Sequence, residues 1–220
     1  MENIVERIYG TTLVHFIIFS PKTPDASKQI VTLERAERIL HEIADFDSKQ
    51  YPRDKVLAFG VSCDGIDYDA VQSLQNGILA IRDRIKTFAF IDKAKRNTLC
   101  VTQMCEFRYG AENSQLSLEA TTDVVIRGIS LLEPRDRVKS YVRVKTSKEY
   151  GKTQAIFMQM IERLIEQSQG KLTYAEVQEY LEGKELTLKE ALENGLIQGH
   201  YEDPVSFFAK YYGEELEIVR

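Results

Sequence analysis

A repeated change of period constrains this chain most. Three apolar stretches of strand length, "LVHFIIFS" (Leu13–Ser20), "DKVLAFGVS" (Asp54–Ser62) and "TFAFID" (Thr87–Asp92), are separated by segments whose apolar residues recur every three or four positions. In "VTLERAERILHEIADF" (Val31–Phe46), Leu33, Ala36, Ile39, Leu40 and Ile43 fall at helical spacing. "AVQSLQNGILAIRDRI" (Ala70–Ile85) follows the same rule, and "NTLCVTQMCEF" (Asn97–Phe107) places Leu99, Cys100, Gln103 and Met104 along one face. "SQLSLEA" (Ser114–Ala120) alternates like a strand, whereas "QAIFMQMIERLIEQSQ" (Gln154–Gln169) and "TYAEVQEYLEG" (Thr173–Gly183) read as helices. Strands alternating with helices imply a mainly parallel sheet covered on both faces. The expectation is α/β, with residues 1–220 forming one domain.

Charge narrows the partners. The 220 residues carry a net charge of −5, and acidic and basic residues are interspersed. A nucleic-acid partner would call for a basic stripe, so none is expected. "LVHFIIFS" is too short to span a bilayer and lacks a signal peptide's flanks, so no membrane partner is expected and the cytoplasm is the expected compartment. Cys63, Cys100 and Cys105 are an odd number, which favours reduced thiols over a disulfide framework. No Cys/His cluster has metal-ligand spacing, so neither metal nor cofactor is expected.

The C-terminal stretch "ELTLKEALENGLIQG" (Glu185–Gly199) is the most specific local signal. Thr187 with Glu190 three residues on is a capping box, Leu188, Ala191 and Leu192 share a face, and Gly195 supplies a left-handed stop. Leu196 and Ile197 then read as a short strand or a docking contact.

This tail, after a long helix, resembles the "T-x-x-E-A-x-x-x-G-L-I-D" pattern of the ClpP-type peptidases, with Gln198 in place of the acid. "VLAFGVSCDGIDYDAVQSLQNGILAI" is similar to that family's "I-N-S-P-G-G" loop and following helix, and "FRYGAENSQLSLEATT" to its "K-R-Y-A-L-P-N-S" segment. The resemblance spans about residues 14–199, leaving 200–220 as an extension, and implies the ClpP/crotonase fold. A serine–histidine–aspartate triad comes with that family. Aligned on these motifs, the serine position falls at Ala94, the histidine position at Glu119 and the acid position at Glu179. Gly65 and Ile66 fall in the loop whose backbone N–H groups would form the oxyanion site, where a branched residue restricts the backbone.

From Thr87 to Gln115 the chain has one serine, Ser114, and its histidines are His15, His41 and His200. The resemblance thus implies a fold without its triad. Thr98, Cys100 or Cys63 could replace the nucleophile if Lys93, Lys95 and Arg96 lowered a thiol pKa, but a cysteine on an apolar face is more often a small hydrophobe. The "DKAKR" run is a solvated helix start or a holder of an acidic group. Asp64 and Asp67 read as turn caps, and His15 as a core or interface histidine.

Three readings stay open. One is a non-catalytic ring subunit, either a homo-oligomer or a hetero-oligomer with a related catalytic subunit, with an ATP-dependent unfoldase as a further partner. The second is an active peptidase with relocated residues. The third is a crotonase-like protein binding an acyl-CoA or another small ligand. Met158 and Ile161, on a helix apolar around much of its circumference, are the expected assembly contacts.

Overall fold

The computed structural model describes residues 5–20, 30–117, 162, 164–166, 168, 171–181 and 184–219. Elements in chain order are β1 (Val5–Tyr9), β2 (Thr12–Phe19), β3 (Ile30–Val31), α1 (Leu33–Ser48), β4 (Lys55–Cys63), β5 (Gly65–Ile66), α2 (Tyr68–Ile81), β6 (Lys86–Ala94), α3 (Asn97–Thr102) and β7 (Phe107–Ser117). Then come α4 (Tyr174–Leu181), β8 (Glu185–Leu186), α5 (Leu188–Glu193), β9 (Gly199–Tyr201), α6 (Pro204–Tyr212) and β10 (Glu215–Val219).

The main sheet runs β10-β1-β2-β4-β6-β7-β8, with β9 also paired to β7. Its centre, β2-β4-β6-β7, is parallel, while β1 pairs antiparallel with both β2 and β10. Both faces of these central strands are apolar, so alternate residues feed two cores. Leu13, Ile17, Leu57, Phe59, Ala89 and Ile91 face α1, α2 and α3. Val14, Val56, Ala58, Phe88 and Phe90 face Phe208 of α6.

The helices start where the local chemistry dictates. Thr32 caps α1 by accepting from the Arg35 N–H, and Ala36, Ile39, Ile43 and Phe46 form its buried stripe. Asp67 caps α2, as expected, accepting from Asp69 N–H at 3.2 Å. Gly77 lets α1 lie close on α2, since a Cβ there would sit 2.3 Å from the Leu40 side chain. In α5 the capping box is complete: Thr187 Oγ1 accepts from Glu190 N–H and Glu190 Oε2 accepts from Thr187 N–H. Gly195 follows at φ +71°, as the stop required.

Three segments differ from the pattern. The helix expected over Asn97–Phe107 stops at Thr102, whose hydroxyl donates to Leu99 O while Met104 and Cys105 make tight-turn bonds. Phe107 instead opens β7 opposite Phe88, with ring centroids 4.6 Å apart. Of the strand expected over Ser114–Ala120, residues 114–117 are the end of a longer strand that begins at Phe107, and residues 118–120 lie outside the described residues. Leu196 and Ile197 form no strand; they are buried contacts. In the expected long helix, positions 162 and 164–166 are helical and Leu164 is buried, while Met158 and Ile161 lie outside the described residues.

Candidate functional site

In open parallel sheets ligands are received beyond the carboxyl ends of the strands. Here β4 ends at Cys63 and β6 at Ala94, directly opposite each other in register. The turns that follow are Asp64–Ile66 and Lys95–Asn97, and they are bonded to one another. Asn97, buried at the start of α3, accepts the Ile66 N–H on Oδ1 at 2.8 Å and donates from Nδ2 to the Ile66 carbonyl at 2.7 Å. Lys95 N–H donates to Cys63 O, and Cys63 Sγ lies 3.3 Å from Thr98 Oγ1. One side-chain amide thus engages both polar backbone groups of Ile66.

The β6–α3 turn has no glycine, yet one of its residues lies in the positive-φ region. Arg96 adopts φ 56°, ψ −134°, the one non-glycine residue with positive φ among those described. Such a conformation costs a residue bearing a Cβ about 1–3 kcal/mol. The Arg96 stem runs over Gly65, its Cδ 3.5 Å from where a Cβ on that glycine would stand.

The charges of "DKAKR" are mostly paired. Lys93 Nζ meets Asp64 Oδ1 at 2.6 Å, and Lys95 Nζ meets Glu185 Oε1 at 2.8 Å across to β8. Asp64 is thereby an ion-pair partner as well as a turn residue, and Lys95 holds the Glu185 carboxyl below its usual range, through a hydrogen bond first and charge second.

Ala94, the serine position of the family alignment, is fully buried at the end of β6. Gly65 and Ile66 form β5, paired with Ile30 and Val31 of β3. Glu179 stands exposed on α4, whose buried contacts are Val177 and Tyr180. Glu119 lies outside the described residues. His41 and His200 are exposed on α1 and β9. His15 is in the core, stacked on Phe46 with centroids 4.8 Å apart, its Nδ1 3.0 Å from Glu6 Oε1.

The thiols are not activated. Burial pushes Cys63 up to about 11, outweighing its bond to Thr98, and pushes Cys100 and Cys105 up to about 12. All three are free and buried, and Thr98 is fully enclosed. The lowered thiol pKa that a relocated nucleophile would need is not found: desolvation of the thiolate is the largest effect, and at Cys63 it outweighs the small lowering by Lys93. Among the described residues no group of three or more His, Cys, Asp or Glu could hold a metal ion, and no helix is long and apolar enough to cross a membrane. A polar hollow of about 330 Å³ beside Arg82, Asp83, Cys105 and Glu106 opens at the other end of the strands, next to the start of β7.

The tail docks on Arg108, a residue that the sequence did not single out. Buried Arg108 donates from Nε to Leu196 O at 2.9 Å and from Nη1 to Cys105 O at 2.8 Å. Gln198, standing where the family pattern has an acid, accepts from Arg108 N–H and donates to Glu106 O. Asn97 and Arg96 were equally missed as a pair. The available signal was a strand-to-helix turn without glycine, which forces any positive φ onto a residue with a side chain.

No family model and no curated protein sequence matches the chain. Solved structures do match its fold. ClpP1 from Listeria monocytogenes aligns at 12% identity with a TM-score of 0.58, over 86% of this chain and 91% of its own. A peptidase from Plasmodium falciparum aligns at 14% identity and TM-score 0.57, covering 86% and 96%. Enoyl-CoA hydratase from Bacillus halodurans aligns at 17% identity and TM-score 0.57, covering 95% and 77%. A parallel sheet with helices on both faces, matched by peptidases and by hydratases alike, gives this chain the ClpP/crotonase fold.

Proposed function

We propose that this protein is a ClpP-like subunit with a degenerate peptidase site, serving a structural or regulatory role in a ring assembly rather than cleaving peptides. The observation that carries this reading is the Asn97–Ile66 pair. An oxyanion hole needs backbone N–H groups left open toward the substrate. Here the Ile66 N–H is already bound by Asn97 Oδ1 at 2.8 Å. Buried Ala94 at the expected nucleophile position, and thiols raised to about 11 and 12, support the same reading.

The purified chain is expected to leave a fluorogenic short peptide intact and to take no label from a serine-reactive fluorophosphonate. Steady cleavage abolished by that reagent would overturn the proposal. The assembly half is read separately: light scattering at micromolar concentration is expected to give a multiple of 25.3 kDa. A monomer under those conditions would reject the ring role and leave the statement about chemistry standing. The partner is a second copy of this chain or a related catalytic subunit, and the compartment we assign is the cytoplasm.

A further inference from the structure

We propose that Glu6, His15 and Lys49 form a pH-sensitive latch, which holds β1 to β2 and to the end of α1 at neutral pH and releases it as pH falls. The cluster lies outside the candidate site, and the proposal holds whether or not the chain joins a ring.

Glu6 of β1 and His15 of β2 stand directly opposite each other in the antiparallel register. Both are buried, at 7% and 4% exposure, and His15 Nδ1 lies 3.0 Å from Glu6 Oε1. The same oxygen accepts from Nζ of Lys49, the C-cap residue of α1. A single carboxylate thus joins two strands and a helix end. The imidazole is also stacked on Phe46 of α1, with centroids 4.8 Å apart. Lys55 of β4 packs against the same phenyl ring, its Nζ 5.5 Å from the centroid, while donating to the carbonyls of Phe46, Asp47 and Lys49.

The charges decide what a proton does here. Around His15 stand one anion, Glu6 from β1, and two cations, Lys49 from the α1 cap and Lys55 from β4 beyond the Phe46 ring. The other carboxylates towards this end of α1 are paired elsewhere or in water. Glu42 faces Arg35 at 3.2 Å, Asp47 faces Arg84 at 2.6 Å, and Asp45 is exposed. A neutral imidazole donates from Nδ1 to Glu6 and leaves that carboxylate to balance Lys49. Protonation places a third cation beside one carboxylate where water is largely excluded, which favours any opening that hydrates the ring. Burial, the largest influence, lowers the His15 pKa against the pull of Glu6, so the folded form resists a proton that the opened form accepts. β1 is the element that separates most readily. It belongs to the antiparallel end of the sheet and meets β2 through five residue pairs, so its separation leaves the β2-β4-β6-β7 ladder intact. Openings of this kind lie below global unfolding in free energy.

The test follows native-state hydrogen exchange of the full chain, labelled with nitrogen-15, between about pH 7.5 and pH 5. Protection of the β1 amides is expected to fall below about pH 6.5, by up to about tenfold per pH unit for an opening that takes up one proton, while β4 and β6 keep theirs. His15→Gln should remove that pH dependence. Because this substitution also alters the stack on Phe46, Lys49→Gln is the second variant, at a side chain that is 49% exposed. Removing the cation should raise the pKa of His15, read from its ring-proton shifts in the folded protein, and narrow the pH range over which β1 loosens. Protection of β1 that is constant with pH, or that falls in step with β4 and β6, would overturn the latch. So would an unchanged His15 titration in Lys49→Gln, or an undiminished pH dependence in His15→Gln.

Discussion

His15 shows how one buried polar residue couples this fold to pH. Its ring is stacked on Phe46, its Nδ1 meets Glu6, and its buried Nε2 has no partner among the described residues. Lys49 of the α1 C-cap also reaches Glu6, so a carboxylate and an ammonium both face the ring's surroundings. Burial lowers the His15 pKa from 6.5, outweighing the attraction of Glu6. A group with a depressed folded pKa binds protons more readily when unfolded, so its stability contribution is present above pH 6.5 and fades as pH falls below it. Urea titrations of the native chain should therefore show a midpoint that declines from about pH 6.5 downward. In His15→Gln that segment of the profile should flatten; an unchanged slope would place the titrating group elsewhere.

At the scale of the element, the C-terminal tail is held by two devices of unequal weight. The α5 capping box satisfies exposed backbone groups, and Thr187→Ala should cost about 1 kcal/mol. Arg108 anchors the same tail from inside, donating to the carbonyls of Leu196 and Cys105. Its burial lowers the guanidinium pKa, a sign that the charge is held in an unfavourable medium by those carbonyls. Arg108→Leu removes its donors from the Cys105 and Leu196 carbonyls, of which Leu196 O keeps Gln103 Nε2 at 3.2 Å, and at about 1–3 kcal/mol for each buried hydrogen bond lost it should cost more than the cap substitution. Chemical denaturation of the two variants side by side ranks them. A larger loss for Thr187→Ala would mean that the tail is held from its surface.

Over the whole molecule, the second face of the sheet depends on α6. Phe208 is fully buried and packs edge-on to Phe88 at 5.2 Å and Phe90 at 5.4 Å, while β10 pairs with β1 at the sheet's end. The first and last of the described strands are thus neighbours. Phe208→Ala should cost about 3–5 kcal/mol in thermal or chemical unfolding. Tyr211, on the same helix but 62% exposed, should change stability by less than about 0.5 kcal/mol when replaced by alanine. Equal losses would show that α6 is held by its exposed face as well.

Local periodicity was enough to determine β2, β4 and β6, the helices α1 and α2, and the cap and glycine stop of α5, because those signals involve residues within a turn or two of each other. It was not enough for β1, β10 and α6, whose aromatic and charged residues gain their meaning only from strands far away in the sequence. The segment Asn97–Phe107 illustrates the limit. Its apolar spacing suits a helix throughout, and the pairing of Phe107 with Phe88 is what turns the second half into strand. The candidate site divides in the same way. Gly65, Ile66 and the basic run were visible as residues, and so was the absence of glycine from the second turn. The bonding of Asn97 to both polar groups of Ile66, the positive φ of Arg96 and the raised thiol pKa values were not, because each arises from two turns brought together by a parallel register and from the water excluded there.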